Sequence, residues 1–211
     1  MPLSKNLGIH QENTILSCIK IVYRYLKSPL GKLIIGATSK GCCFLEFHDR
    51  TGIEQLKYRF KKNYQLSIVE GTNYILDQLE NELDQYFKGE LQNFTVPLDL
   101  KGTSFEKTVW KELRRIPYGE TKSYGEIAEL INNALAVRAV GRANGKNPVA
   151  IVVPCHRVIS SDGKLHGYGG GLWRKRELLT LENRYASGVK KKIVGDQLVS
   201  LETRPLEKWL N

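Results

Sequence analysis

The 211-residue chain contains no run of about 18 apolar residues, so no transmembrane helix and no membrane partner are expected. Residues 1–14 lack an apolar stretch behind basic residues, and they predict no secretory signal. The four cysteines, at positions 18, 42, 43 and 155, do not have the spacing of a disulfide framework. Together these absences predict a chain of a reducing compartment, cytoplasmic or, in a eukaryote, nuclear.

Basic residues are in excess, and most of the excess lies in the second half. The net charge is +10, and 41% of the residues are hydrophobic, as in a globular protein. Residues 1–95 contain 12 basic and 10 acidic residues, whereas residues 96–211 contain 20 and 12. A positive half-molecule favours nucleic acid as a partner, although many basic proteins bind none.

The first half predicts a small α/β domain over residues 1–95. Turn residues separate three strands, which we place at 19–25, 31–38 and 42–47. Apolar residues three or four apart then predict two helices, at 53–62 and 72–87, and Lys88-Gly89 ends the second.

The second half predicts a mainly helical domain over residues 96–185, after a connection at 90–103, and a tail at 186–211. Ser104 is the predicted N-cap of one helix, and Ser123, with Glu126 in the capping-box position, begins the next. Further helices are predicted at 136–144, where arginines occur, and at 172–181. Two short helices joined by a tight turn indicate a helix-turn-helix, and an ordinary helical hairpin fits the same pattern.

A cysteine and a histidine follow an apolar run. Residues 149–153 predict a buried strand that Pro154 ends, with Cys155, His156 and Arg157 directly behind it. A thiol needs a base or a positive charge nearby to become a nucleophilic thiolate, and this segment offers both. The alternative is a buried cysteine with no chemical role.

Pro154-Cys155-His156-Arg157-Val158 resembles the active-site motif of the O6-alkylguanine-DNA alkyltransferases. Residues 138–148 resemble the segment that precedes it in that family, and residues 28–33 resemble a motif near its start. The resemblance implies the alkyltransferase fold, an α/β N-terminal domain plus a mainly α C-terminal domain with a helix-turn-helix. It also implies a monomer that acts on double-stranded DNA, without a cofactor. The reaction is irreversible transfer of an alkyl group from O6-alkylguanine to the protein, and repair of O4-alkylthymine is left open.

The resemblance also assigns catalytic roles. Cys155 would accept the alkyl group, and His156 would deprotonate it through a water. Glu182 would orient His156. Asn147 would tie the recognition helix to the active-site turn.

Other positions match the family's substrate and DNA contacts. Arg138 would enter the duplex as the base leaves the stack, in a helix-turn-helix that uses the minor groove, and Tyr124 would crowd the target's 3′ phosphate. Tyr168 would donate to the guanine beside Val158, and Gly169 departs from a serine that some members carry. Contacts to the DNA are expected from Arg138, Gly141, Arg142, Lys146 and Ser123.

No metal site is predicted. Some family members hold a structural zinc through cysteine and histidine ligands, and this chain has Cys18, Cys42, Cys43 and His48 in the corresponding half. Thr38 stands where one ligand cysteine would be expected, and adjacent cysteines on a strand point to opposite faces.

Three other functions compete with alkyl transfer. A non-catalytic alkylated-DNA lesion-binding protein resembles this domain, but usually has tryptophan in place of the acceptor cysteine. A cysteine hydrolase would need an oxyanion hole and a deacylating water, for which no separate motif is present. A helix-turn-helix regulator that senses alkylation would need a further domain.

Overall fold

A four-stranded sheet forms the first part of the computed structural model, which describes residues 20–186, 191–194 and 197–200. Its strands are β1 (Lys20–Leu26), β2 (Leu33–Ala37), β3 (Cys42–Phe47) and β4 (Ser67–Glu70), in the order β3-β2-β1-β4. β2 pairs antiparallel with both β1 and β3, and β4 pairs parallel with β1. The three predicted strands are confirmed. The sequence did not indicate β4, an edge strand in which only Ile68 is buried.

Helices cover both faces of this sheet. Every residue of β2 is buried, and its neighbours Ile34 and Ile35 point to opposite faces, as side chains on a strand must. Helix α1 (Ile53–Tyr64) packs Phe60 on the face of Ile34, and helix α2 (Tyr74–Lys88) packs Leu79 on the face of Ile35. Gly89 ends α2 in the left-handed conformation, as Lys88-Gly89 predicted.

Four helices and two short strands follow. They are α3 (Ser104–Leu113), β5 (Lys122–Ser123), α4 (Tyr124–Leu130), α5 (Val137–Gly145), β6 (Val158–Ile159) and α6 (Leu172–Tyr185). A 3₁₀ turn at Ala134–Ala136 connects α4 to α5, and α4 and α5 pack together as the predicted helix-turn-helix pair. β5 and β6 pair in parallel.

The N-caps decide where two of these helices begin. Ser123 caps α4 in a complete capping box with Glu126, as predicted. Ser104, predicted as the cap of α3, is instead its first helical residue. Thr103 is the cap, because its hydroxyl accepts from the Glu106 amide and the Glu106 carboxylate accepts from the Thr103 amide.

The predicted strand at residues 149–153 is wrong. Val149 makes a single parallel bridge to Leu45, and the chain then turns, with the Val153 amide 3.0 Å from the Val149 carbonyl and Ile151 at a φ of 71°. Four of the five side chains are buried nonetheless. An apolar run indicates burial but does not distinguish a strand from a turn. A turn can be buried when its backbone groups are hydrogen-bonded, as the Ala150 amide is to the Leu45 carbonyl.

One apolar core joins the sheet to the helices behind it. It contains residues from both halves of the chain, including Leu45, Leu79, Trp110 and Leu178. The division into 1–95 and 96–185 stays a prediction. In the predicted tail, β7 (Lys191–Val194) and β8 (Gln197–Ser200) form an antiparallel hairpin, and the other tail residues lie outside the described ranges except Ala186. No helix of the described residues is long and apolar enough to cross a membrane.

Candidate active site

Cys155 lies at the base of a cleft beside the helix-turn-helix. It is the first residue of a 3₁₀ turn (Cys155–Arg157), and it is only 6% exposed. Two adjoining hollows, of about 270 and 250 Å³, reach it. Both are lined by Asn144, Gly145, Cys155, Tyr168 and Gly169. The sulfur is thus reachable only by a group that enters this cleft.

Asn147 connects the end of α5 to the turn that carries Cys155. Its amide nitrogen donates to the Val153 carbonyl at 2.7 Å and lies 3.0 Å from the Cys155 Sγ. Its side-chain oxygen accepts from the Val149 amide at 3.0 Å. These three contacts use both ends of the amide and fix the sulfur relative to the helix.

His156 and Glu182 form a buried pair behind the cysteine. His156 Nε2 lies 2.8 Å from Glu182 Oε1, and both side chains are fully buried. Arg157 donates to both oxygens of the same carboxylate, at 2.9 Å each, and to the Ile116 carbonyl at 2.6 Å. The Tyr86 hydroxyl, at 2.8 Å, and the Gly119 amide, at 3.2 Å, complete the set of donors to Glu182.

Burial sets the protonation of this pair. It lowers the pKa of His156 despite the facing carboxylate, so the imidazole is neutral at pH 7. Burial raises the pKa of Glu182, but His156 and Arg157 outweigh it and bring the pKa down to about 2. A carboxylate at Oε1 requires Nε2 to be the donor, which leaves the lone pair on Nδ1. Nδ1 is buried and has no partner among the described residues.

The thiol of Cys155 is protonated at rest. Burial raises its pKa, and the Asn147 hydrogen bond and the Lys175 ammonium oppose that rise. Lys175 is itself fully buried, and its Nζ donates to the carbonyls of Val158 at 2.7 Å and His166 at 2.8 Å. Burial brings the pKa of Lys175 down to about 8, against the opposing effect of Cys155. The site therefore combines a buried thiol with a nearby cation and a neutral imidazole.

The remaining predicted substrate residues surround the cleft unevenly. Tyr124 begins α4 and lines the smaller hollow with Gly141. The Tyr168 hydroxyl is buried without a partner in the described structure, and burial raises its pKa well above the usual value, so it keeps its proton. An added Cβ at Gly169 would meet nothing within 4 Å. Val158 is buried in β6 and lines neither hollow.

The predicted DNA contacts lie along α5. Arg138 and Arg142 are exposed, four residues apart, and form no ion pair within the described part of the chain. Lys146 pairs with Glu106 at 2.8 Å but remains 67% exposed. An added Cβ at Gly141 would touch only the Tyr124 ring, at 3.9 Å. The Ser123 hydroxyl is engaged as the cap of α4.

Two family models match the chain. Residues 104–184 match the 6-O-methylguanine DNA methyltransferase DNA-binding domain, and residues 21–100 match the ribonuclease-like domain of the same family. The chain belongs to the 6-O-methylguanine DNA methyltransferase family.

Curated members of this methyltransferase family are similar over most of the chain. The methylated-DNA–protein-cysteine methyltransferase of Mycolicibacterium paratuberculosis is 47% identical over 166 residues, which cover 79% of this chain and 94% of the relative. That of Methanosarcina acetivorans is 44% identical over 160 residues, 76% of this chain and 97% of the relative.

Solved structures of the family have the same fold. The crystal structure of the Mycobacterium tuberculosis O6-methylguanine methyltransferase has a TM-score of 0.67 at 45% identity, and covers 79% of this chain and 95% of that one. A crystal structure of Mycobacterium tuberculosis OGT in complex with DNA has the same TM-score and identity, and covers 78% and 94%. The fold predicted from the sequence is therefore confirmed.

Several residues of this family member's site were not predicted. Lys175 stands seven residues before Glu182, two turns along the buried face of α6, a spacing that could have indicated it. Arg174 donates to the carbonyls of Leu30 and Gly170, at 2.8 Å each, and pairs with Asp49 at 2.9 Å. Arg174 thereby connects Gly170, which lines the cleft, to the turns at Leu30 and Asp49 beside the sheet. These partners are too distant in sequence to be predicted.

Among the described residues, the possible metal ligands form no cluster. Cys18 lies outside the described ranges, and Cys42 and Cys43 are buried free thiols. Within those ranges no group of three histidine, cysteine or acidic side chains is placed to hold a metal ion. Thr38 donates to Asp99 at 2.8 Å.

Proposed function

We propose that this protein repairs double-stranded DNA by moving an alkyl group from O6 of guanine to the sulfur of Cys155, once per molecule. The observation that carries the proposal is the Cys155 sulfur at the base of the cleft, 3.0 Å from the Asn147 amide and next in sequence to the buried His156–Glu182 pair. Thiolate is the softest nucleophile that side chains offer for displacement at carbon. The names of the relatives support the same reaction.

The proton of the thiol would leave through His156. With Nε2–H donating to Glu182, Nδ1 is the basic atom, and a water would pass the proton to it. The Asn147 amide and the Lys175 ammonium both favour the thiolate, because each stabilises negative charge at the sulfur.

Transfer then exchanges one bond for another. The Cys155 sulfur attacks the alkyl carbon, a C–S bond forms, and the bond from carbon to O6 breaks with its electron pair on the guanine. The proton taken from the thiol passes from His156 through water to the guanine, which is restored, and the Tyr168 hydroxyl, which has no partner among the described residues, would donate a hydrogen bond to the departing base. The thioether has no leaving group, so the protein acts once.

DNA would bind along α5. A base within a duplex cannot reach a sulfur that is only 6% exposed at the base of a cleft, so the nucleotide must leave the stack. Arg138 would fill the gap, and Tyr124 would press on the phosphate beside the target. Arg142, Lys146 and the close-approaching backbone at Gly141 would contact phosphates, with Ser123 at the start of α4.

The pocket would admit groups larger than methyl. Gly169 leaves open space where a side chain would otherwise stand beside Tyr168. A serine at this position would donate a hydrogen bond to the guanine oxygen. Glycine loses that bond and leaves more space for the alkyl group.

We also propose that the protein acts as a monomer, in a reducing compartment such as the cytoplasm, which would keep the Cys155 thiol out of disulfides.

A stoichiometric alkylation assay tests the reaction. The protein is incubated with a duplex that carries one O6-methylguanine, and its peptides are analysed by mass spectrometry. One methyl group is expected on the Cys155 peptide and none on the peptide of Cys42 and Cys43, two buried thiols that serve as internal controls. Cys155→Ser should bind the lesion without removing it.

Two outcomes would overturn the proposal. Loss of the lesion with an unmodified Cys155, or repeated turnover, would exclude transfer to this sulfur. Tight lesion binding by folded, reduced wild-type protein with neither lesion nor sulfur changed would favour the non-catalytic lesion binder.

A further inference from the structure

The connection between α4 and α5 ends in an apolar tip. Leu135, at the centre of the 3₁₀ turn Ala134–Ala136, is 99% exposed, and no residue of that turn is buried. Exposing a whole leucine side chain to water is unfavourable, and it contributes nothing to the core of this chain. Val137, at the start of α5, is also 40% exposed.

This tip continues the basic face of α5. Leu135 lies in the turn that leads into α5, three residues before Arg138 and seven before Arg142, and all three side chains are exposed. Residues 130–137 contain no charge, in a chain whose net charge is +10. A surface that consists of cations and a bare leucine is suited to a partner with both phosphate and apolar surface.

DNA has both surfaces. The family model that spans residues 104–184 describes a DNA-binding domain, and the tip lies inside it. A leucine side chain gains nothing by contact with phosphate, but it can pack against deoxyribose carbons and base edges in a groove. Apolar side chains inserted between base pairs also help proteins to kink a duplex.

We propose that Leu135 enters a groove of the DNA and packs against deoxyribose and base edges. Arg142 would contact the phosphates, and Arg138 would fill the gap that the flipped nucleotide leaves in the duplex. The inference rests on the proposed function, because it assumes that α5 faces the duplex. Leu135 would add affinity that does not depend on salt, since burying apolar surface releases no counterions.

Affinity measured against salt separates the apolar contact from the ionic ones. Binding to a short undamaged duplex is measured by fluorescence anisotropy at several salt concentrations, so that no alkylation intervenes. Leu135→Ala should bind about tenfold more weakly at every salt concentration, with an unchanged slope of log affinity against log salt. Leu135 is almost fully exposed, so this substitution leaves the fold intact.

Val69→Ala is the matched control, because Val69 is an exposed apolar residue of β4, 40% exposed and outside the helix-turn-helix. It should bind DNA as the wild type does. Wild-type affinity in Leu135→Ala, an equal loss in Val69→Ala, or a changed salt slope would each overturn the inference. So would a dimer of the free protein that Leu135→Ala dissociates, because the leucine would then serve a second copy of the chain.

A reaction without duplex separates this inference from the proposed function. Wild type and Leu135→Ala should react equally fast with free O6-benzylguanine at Cys155. If the wild type transfers no methyl group from the O6-methylguanine duplex, the proposed function fails; if it does and Leu135→Ala binds DNA normally, only the role of Leu135 is rejected.

Discussion

Tyr86 of α2 donates its hydroxyl hydrogen to the carboxylate of Glu182, 96 positions later in the chain, over 2.8 Å. The helix behind the N-terminal sheet is thus part of the support of the pair next to Cys155. Both residues are fully buried, and Glu182 also accepts from His156, Arg157 and the Gly119 amide. Integrity of the N-terminal sheet and orientation of the imidazole are therefore connected.

Glu182→Gln should destabilise the protein strongly and slow alkylation of Cys155. It leaves Arg157 buried without its charge partner, which costs about 3 kcal/mol or more. Tyr86→Phe is the matched control, because it removes one donor and keeps the charge pair, at a cost of about 1–2 kcal/mol. The free energy of unfolding in urea is measured for both variants. Equal losses in Glu182→Gln and Tyr86→Phe would contradict this account of Glu182.

The Glu182 carboxylate also predicts how the free energy of unfolding changes at low pH. Its pKa in the folded state, about 2, lies below the unfolded value of about 4.3. The stabilisation is therefore complete above the unfolded value and is lost as the pH falls toward the folded one. In Glu182→Gln this part of the acid dependence should be absent.

Lys175→Met should move the reaction of Cys155 toward higher pH. A cation near the sulfur favours the thiolate, so its removal raises the pKa of the thiol further. The rate of reaction with free O6-benzylguanine, followed against pH, measures the shift. Lys164→Met is the control, because Lys164 is exposed and pairs with Asp162 at the surface. An unmoved profile in folded Lys175→Met would reject the electrostatic role.

Arg138→Ala should impair repair of a methylated duplex about tenfold, equivalent to ~1.4 kcal/mol, and leave the reaction with free O6-benzylguanine unchanged. Arg138 is exposed on α5, and the free base needs no place in the duplex to be filled. Lys61→Ala, which removes an exposed cation from the last turn of α1, controls for net charge. Equal losses on duplex and free base would contradict the insertion of Arg138.

Local signals were sufficient for much of the fold and for which residues lie together around Cys155. The Ser123–Glu126 capping box fixed the start of α4, because both partners lie within one turn. Cys155, His156 and Asn147 stand within nine residues of one another, and the motif predicted that they act together.

What the sequence did not predict depends on contacts across the chain. Arg174 and Tyr86 acquire their roles from partners on other elements, and no periodicity reports those partners. The spacing of Lys175 from Glu182 indicates the buried face of α6, but it does not identify the carbonyls that Lys175 contacts. The apolar run at 149–153 indicated burial correctly and conformation wrongly, because hydrophobicity does not distinguish a buried strand from a buried turn whose amides are paired.

Helix α6 holds Lys175 and Glu182, two of its three buried charges, against its own dipole. Lys175 lies in the first turn, where the partial charge of the backbone is positive, and Glu182 lies in the last, where it is negative. Each would favour helix formation if the two were exchanged. The dipole of α6 therefore opposes both charges, and it is their buried partners around the reactive sulfur that compensate for it.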